Sequence, residues 1–469
     1  MHLALAAGFV LLLLHAARSG YDHDEIEHLH AAWLVSQGQK PYQDFLEQHH
    51  PALFYLLAPL ASVLEGSPRA LVFAGRTVNL ALLGIVLAVF AALVRPLLRD
   101  RRAVWPLLLL LGCFFFARNS MEVRPDPWMS AFFILGVWQW VVYLREEGGL
   151  RQAAVAGLCF GAAIVFLPKA LFSVGLVGLG SALAVRGRPA WARGLRGAAV
   201  LLGCALVPVG ALVLAIWRGG FWSDFVLWNY TFNKFYYLET HFDGPSALAT
   251  LLVSFGESPL LWGGGLVGVW LTARSLFRGQ PRPEPVIAAV VTVGFIVVMF
   301  VTRWPFAHNL LLMQPMLALL AAVVLDRIES AGLRTVVGVL LVLMVVKVGV
   351  LCLVYTEGHD SPAVQRRLLE STEPSTPVAA APPYNPIFRP DAFFFWYVPV
   401  SNSVAYIEWS RLHGLAPTRL EEDARVWRER PPRFVYVPED EPSWAPYGFE
   451  EHRSAYRPTD VPGLWELAR

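Results

Sequence analysis

Long apolar runs, each near the length of a bilayer crossing, constrain this chain more than any other feature. A membrane helix needs roughly 20 mostly apolar residues. Runs of that kind fall near 2–18, 69–94, 103–118, 127–144, 152–168, 170–185, 197–217, 259–273, 285–302, 308–325 and 335–354. Composition agrees, with 469 residues of which 56% are hydrophobic and 16% charged. Soluble domains carry about a quarter charged residues. The chain reads as an all-α polytopic membrane protein with about 11 transmembrane helices over residues 1–354. Disorder, collagen-like repeats and a disulfide-stapled miniprotein are excluded. A net charge of +2 with no basic stripe argues against a nucleic-acid partner. The four cysteines, Cys113, Cys159, Cys204 and Cys352, lie in apolar runs with no paired spacing and read as small hydrophobes. The first run lacks a basic start and a small-residue cleavage site, so it reads as a helix rather than a signal peptide. Pro168-Lys169 reads as a tight turn between two runs.

Lys and Arg in short loops set orientation. Arg95, Arg99, Arg101, Arg102, Arg145, Arg151, Arg186, Arg188, Arg193, Arg196, Arg274, Arg278, Arg282, Arg327 and Arg334 crowd one set of alternating loops. They make up 15 of the 26 Lys and Arg before residue 355. Those loops are expected in the cytoplasm together with the N-terminus. Residues 19–68, 119–126 and 218–258 and the tail are then outside, which also collects 13 of the 19 acids before residue 355. Residues 355–469 hold 17 Asp or Glu and 12 Arg, the balance of a soluble domain. The β-like runs FRPDAFFFWYVPV and RFVYV and a helical stretch Val404–His413 predict a small C-terminal α/β extracytoplasmic domain.

Chemistry concentrates in the first outer loop. Between residues 22 and 50 lie Asp22, Asp24, Glu25, Glu27, Asp44 and Glu47 with five of the chain's 12 His, and Lys40 is the only Lys or Arg there. Glu25–Gln37 has helical spacing with Ile26, Leu29, Ala32 and Trp33 on one face, and Pro51–Leu64 is a second apolar segment. Both read as helices lying along the outer surface. The bland reading of Asp24 is an N-cap in a hydrated loop. The functional one is a carboxylate tuned as a general base beside a low-dielectric wall. The cluster also suits a divalent cation, with Asp24, His28 and His50 as possible ligands, although no spacing in it is diagnostic.

Asp24-Glu25, then Pro41-Tyr42-x-Asp44-Phe45, then His50-Pro51 before an apolar segment resembles the first outer loop of the GT-C glycosyltransferases. The resemblance is closer to the bacterial family-39 branch, with its protein mannosyltransferases, aminoarabinose transferases of lipid A and rhizobial galacturonosyltransferases. It covers the order of parts over residues 1–354 and implies a GT-C-like catalytic domain there, with outer interfacial helices. It implies that Asp24 and Glu25 supply the catalytic carboxylate. Arg124-Pro125-Asp126 in the second outer loop is similar to an Arg-Pro-Asp element of the family. Lys169 is similar to a lysine near the lipid phosphate, and His49-His50 stand where aminoarabinose transferases carry Glu-Lys.

The resemblance thus implies an inverting hexosyl or pentosyl transfer from a polyprenyl-phosphate-linked sugar to a glycan, lipid or protein acceptor. The setting is the outer face of the inner membrane of a bacterium. Arg124, Lys169, His49 and His50 would bind the donor phosphate. Tyr42, Asp44 and Asp126 would position substrate. No cofactor is certain beyond a possible divalent cation. Bland alternatives stand beside each: Arg124-Pro125-Asp126 as a helix-initiating turn, and Lys169 as a snorkelling side chain. Lys347, inside the last run, reads as snorkelling and is left out of the site. The aromatic loop Phe221–Phe242 reads as an interfacial belt and cavity wall. Thr302-Arg303-Trp304-Pro305 with His308-Asn309 is a weak second phosphate contact. The rival class is a multi-span transporter with an outer His/acid metal-receptor loop. Its ionisable groups would sit at mid-membrane rather than in an outer loop. A catalytically dead scaffold is the third reading.

Overall fold

The computed structural model describes residues 1–98, 104–145, 147–185, 191–234, 246–279, 281–301, 306–354, 360–396, 416–438, 445–446 and 448–468. Arg99, Arg101, Arg102, Arg186, Arg188, Thr302–Pro305, Val404–His413 and residues 235–242 lie outside them. The chain forms two compact units, neither contiguous in sequence. The first comprises Met1–Arg18, Arg76–Ala215 and His241–Tyr355; the second comprises Ser19–Gly75, Ile216–Thr240 and Thr356–Arg469.

Every apolar run lies on helix. α1 is His2–Arg18, α2 His23–Ser36, α3 Ala52–Val63, α4 Pro68–Val94, α5 Val104–Leu111, α6 Phe114–Asn119, α7 Pro125–Leu144, α8 Leu150–Phe166, α9 Ala170–Val185 and α10 Trp191–Gly219. Pro259–Phe277, Pro283–Val301, Met313–Leu325 and Ala331–Val354 follow. Among the described residues, seven helices are long and apolar enough to cross a membrane, or up to eight if α1 and α2 form one bent span. The expected count of about 11 is therefore not confirmed among the described residues. α8 and α9 have only 17 and 16 residues, joined by the turn at Pro168-Lys169.

The run at 103–118 is broken, and the break has a physical cause. A Cβ at Gly112 would sit 2.8 Å from Met344 Cβ on the helix Ala331–Val354, so the two backbones approach too closely for any side chain there. α6 then restarts with its part-buried Phe114 N–H donating to the Glu257 carboxylate. Lys347 Nζ donates to the Glu257 carbonyl at 2.5 Å, so this lysine is engaged inside the unit rather than only snorkelling. α8 meets α10 on small residues. A Cβ at Gly157 or Gly161 would lie 2.2 Å from Leu201 O or 2.3 Å from Ala205 O. Such close backbone approach is how membrane helices gain packing without a hydrophobic drive.

The first unit has two chemically distinct ends. At one, Arg282 donates to Pro96 O at 3.0 Å, Arg193 donates to Gly148 O at 2.8 Å, and Arg145 pairs with the buried Glu284. The basic loops thus gather at one end. α7, at about 1.5 Å per residue, carries the chain some 30 Å to the opposite end, where Glu122, Arg124, Asp126 and Lys169 reside.

In the second unit the tail forms a four-stranded sheet in the order β1-β2-β4-β3, with β1 Val378–Ala379, β2 Phe434–Tyr436, β3 Tyr456–Pro458 and β4 Leu464–Leu467. β1 runs parallel to β2, while β4 pairs antiparallel with β2 and β3, placing Val435 opposite Trp465 and Arg457 opposite Glu466. β2 is buried on both faces. Phe434 and Tyr436 pack with Leu368 of the helix Ser361–Ser371, and Val435 packs with Trp427 of the helix Ala416–Glu429. RFVYV is therefore a strand, as expected. FRPDAFFFWYVPV is not: its described part, residues 388–396, runs in turns with only an isolated bridge from Asp391 to Val378. The Asp423 carboxylate accepts from the Phe394 and Phe395 N–H groups, and the aromatic side chains spread to separate neighbours. Phe393 lies on Trp427, Phe394 on Trp228 and Trp396 on His30.

The rest of this unit is welded to the tail. His23 Nδ1 donates to Pro382 O at 2.9 Å, His30 Nδ1 donates to Ile387 O at 2.5 Å, and His30 Nε2 meets Asp391 Oδ2 at 2.7 Å. Leu46 N donates to Phe394 O at 3.0 Å and Trp396 Nε1 to Leu46 O at 3.3 Å. α2 consequently has no solvent face along most of its length, and Glu25 through Leu34 are all buried. The expected single apolar stripe is replaced by all-round burial, with Glu25, Glu27, His28 and His30 inside. α3 keeps a two-faced character, with Leu53, Phe54 and Leu57 buried and Tyr55, Leu56 and Val63 exposed.

Candidate active site

Asp22, not Asp24, is the N-cap of α2. Its side chain accepts from Asp24 N, and Glu25 at the third helical position returns a bond to Asp22 N. This capping box satisfies two orphan donors at the helix start. Glu25 is thereby committed to the helix end. Asp24 sits half-buried in the first turn, where the helix dipole favours its charge. Its carboxylate lies within 4.8 Å of donor atoms of His23 and Glu27.

One turn further along lies a dense polar core. Ligand atoms of Glu27, His28, Glu47 and His49 all fall within 4.8 Å of one another. His49 Nδ1 is 2.9 Å from Glu47 Oε1 and 3.2 Å from Glu27 Oε1. Burial alone would lower the His49 pKa, but the two carboxylates outweigh it and hold the imidazolium up to about 10. Burial together with the Glu27 charge pushes Glu47 up. Glu47 Oε1 also accepts from the backbone N–H groups of Gln48, at 2.8 Å, and His49, at 3.0 Å. Glu27 and Glu47 were counted in the sequence only as members of an acidic loop. The pairs Glu27-His28 and Glu47-x-His49 were the available signal.

The other expected residues of this loop are shared out among structural contacts. Tyr42 adopts a positive φ of 71°, is buried, and donates its hydroxyl to His49 O at 2.5 Å. Burial raises its pKa. Asp44 is exposed and accepts from Lys40 N at 2.7 Å, closing the turn before Phe45. His50 is buried against Phe225, with Nε2 at 3.1 Å from the Tyr230 hydroxyl. The described part of the aromatic segment after Phe221 thus walls this loop, with Phe221 and Phe225 on the Tyr42 ring.

The first unit holds its own polar cluster at the end opposite the basic loops. Arg124 is the N-cap residue of α7 and Asp126 lies in its first turn. Lys169 Nζ donates to Asp126 Oδ1 at 2.5 Å and to Asn309 Oδ1 at 3.0 Å. Arg124 Nη2 donates to His308 Nδ1 at 3.1 Å, and its Nε lies 3.7 Å from Asp126 Oδ2. Asp126 is buried while Lys169 keeps 31% of its side chain exposed, so one carboxylate anchors two cations of which one retains access. Arg124, Asp126 and Lys169 are thus brought together as the sequence pattern suggested, and His308 joins them. In charge and donors this group suits an anion such as a phosphate.

No protein-family model matches the chain, and no curated protein does. Solved structures do. ArnT from Cupriavidus metallidurans bound to undecaprenyl phosphate superposes with a TM-score of 0.69 at 13% identity, over 99% of this chain and 97% of that one. The apo state of the same protein gives 0.62 at 14% identity, over 94% and 93%. The apo Archaeoglobus fulgidus oligosaccharyltransferase gives 0.52 at 11% identity, over 96% of this chain and 72% of that one. The chain therefore has the GT-C fold.

Proposed function

We propose that this protein is an integral-membrane, inverting glycosyltransferase that takes a hexosyl or pentosyl group from a polyprenyl-phosphate-linked donor. The observation that carries the reading is an end-to-end match in fold to a protein solved with undecaprenyl phosphate, in a chain that gathers Arg124, Lys169 and His308 around one buried carboxylate. The setting is the inner membrane of a bacterium. The basic end of the first unit faces the cytoplasm with the N-terminus, in accord with the positive-inside rule, and the tail lies outside.

Asp24 is the general base. It accepts the proton of an acceptor hydroxyl as that oxygen attacks the anomeric carbon. The bond from this carbon to the phosphate oxygen breaks on the opposite face, which inverts the centre. Arg124 and Lys169 stabilise the charge developing on the leaving lipid phosphate. Asp126 positions both cations and keeps them from collapsing onto other groups when no donor is bound. The acceptor is an envelope glycan, a lipid such as lipopolysaccharide, or a protein. Residues 1–354 supply the catalytic membrane domain and residues 355–469 an extracytoplasmic C-terminal domain. The test is a transfer assay in proteoliposomes with a panel of polyprenyl-phosphate sugars. Release of free polyprenyl phosphate with inverted product supports the reading; a panel in which no donor is consumed while a divalent metal crosses the bilayer replaces it with transport.

A further inference from the structure

We infer that Glu27, His28, Glu47 and His49 form a structural site for one divalent metal ion of the zinc class, clamping α2 to the loop before α3. Four side chains offer one ligand atom each, and those atoms lie within 4.8 Å of one another. A tetrahedron with bonds of about 2.0–2.2 Å has edges of about 3.4 Å, so side-chain rotations on the order of one ångström close the shell. Two imidazoles with two carboxylates, and no thiolate, suit zinc better than the all-oxygen shells that calcium and magnesium take.

Three further observations point to a ligand rather than a chance grouping of acids. Glu47 is fully buried, and its Oε2 has no hydrogen-bond partner among the described residues. Burying such an oxygen unpaired is costly. The other oxygen of the same carboxylate is locked by the Gln48 and His49 N–H groups, which fixes its direction as outer-shell partners do in metal sites. Glu27 is equally buried and directs Oε1 toward the same His49 nitrogen. Two carboxylates then face a single imidazole edge, and a divalent ion there would displace the His49 Nδ1 proton to solvent and balance both carboxylate charges. With four protein ligands the shell is closed, the arrangement of structural rather than catalytic zinc. The site lies beside the His23–Asp24–Glu27 group, so an ion there would also brace the turn that carries Asp24.

This inference stands apart from glycosyl transfer, since a chain that binds the ion and moves no sugar keeps this site and loses the function proposed above. The experiment uses the full-length protein purified in detergent, stripped with chelator and dialysed. Equilibrium dialysis against Zn2+ is expected to show one equivalent bound, and substitution with Co2+ a visible spectrum of mixed nitrogen and oxygen ligation. Glu47→Gln and Glu27→Gln, which preserve shape, are each expected to weaken binding at least tenfold. Should either fail to fold, His28→Gln carries the same expectation, with the thermal transition of the stripped protein as the check on folding. Absence of stoichiometric uptake by the wild type, or uptake unchanged in the Glu27→Gln/Glu47→Gln double variant, overturns the site.

Discussion

At the scale of single residues, the two acids at the start of α2 separate into different jobs. Glu25 closes the capping box with Asp22, whereas Asp24 keeps its carboxylate in the first turn beside His23 and Glu27. General-base assistance contributes typically ~10²–10⁴-fold. Asp24→Asn is therefore expected to reduce sugar transfer by that range, with insertion and thermal transition unchanged; wild-type turnover in the purified variant would remove Asp24 from its role. Glu25→Ala should instead show as weakened folding, since it leaves the Asp22 N–H without its capping-box acceptor, a bond worth ~0.5–1.5 kcal/mol. Asp126 is the residue on which Lys169 and Arg124 converge. Asp126→Asn frees both cations from their anchor, and its expected signature is a raised KM for the lipid donor exceeding any fall in kcat. A variant with unchanged donor KM would show that Asp126 serves only the helix start.

Secondary-structure elements reveal what the pattern of apolar residues conceals. The described part of each of the eleven runs read from the sequence is mostly helical, because hydrophobicity at membrane length leaves few alternatives. Yet α5 stops at Gly112, where Met344 approaches, and α6 restarts on the Glu257 carboxylate. Gly112 marks the place within the segment, but the close neighbour Met344 lies more than two hundred residues along the chain. The α8–α10 contact rests on the missing side chains of Gly157 and Gly161. Gly161→Leu should force the helices apart at a cost of ~1–3 kcal/mol, read as a lower thermal transition in detergent. An unaltered transition would mean the interface tolerates separation.

Considered as a whole molecule, the chain divides across its sequence rather than along it. Residues 19–75 and 216–240 share one unit with the tail through His30–Asp391, Leu46–Phe394 and Trp228–Phe394. His30 is fully buried, with one nitrogen on Ile387 O and the other on Asp391. Removing residues 355–469 would strip those partners and expose a helix that buries four ionisable side chains. Such a truncation is expected to leave residues 19–75 open to proteolysis, measured by limited digestion of the membrane-embedded protein. A protected segment in the truncated chain would show that α2 folds without the tail.

The sequence by itself determined the apolar runs, the side-by-side placement of basic loops, the strand at RFVYV and the association of Arg124 with Asp126, because these follow from local hydrophobicity, charge and spacing. Only the tertiary structure decided that α2 is buried on every side and that residues 388–396 run in turns instead of extending. It alone joined Glu27 to Glu47 through His49, and His308 to Arg124. These outcomes depend on partners far away in the chain: a helix reads as amphipathic until distant residues cover its polar face, and a carboxylate's role is set by whichever donors the fold brings to it.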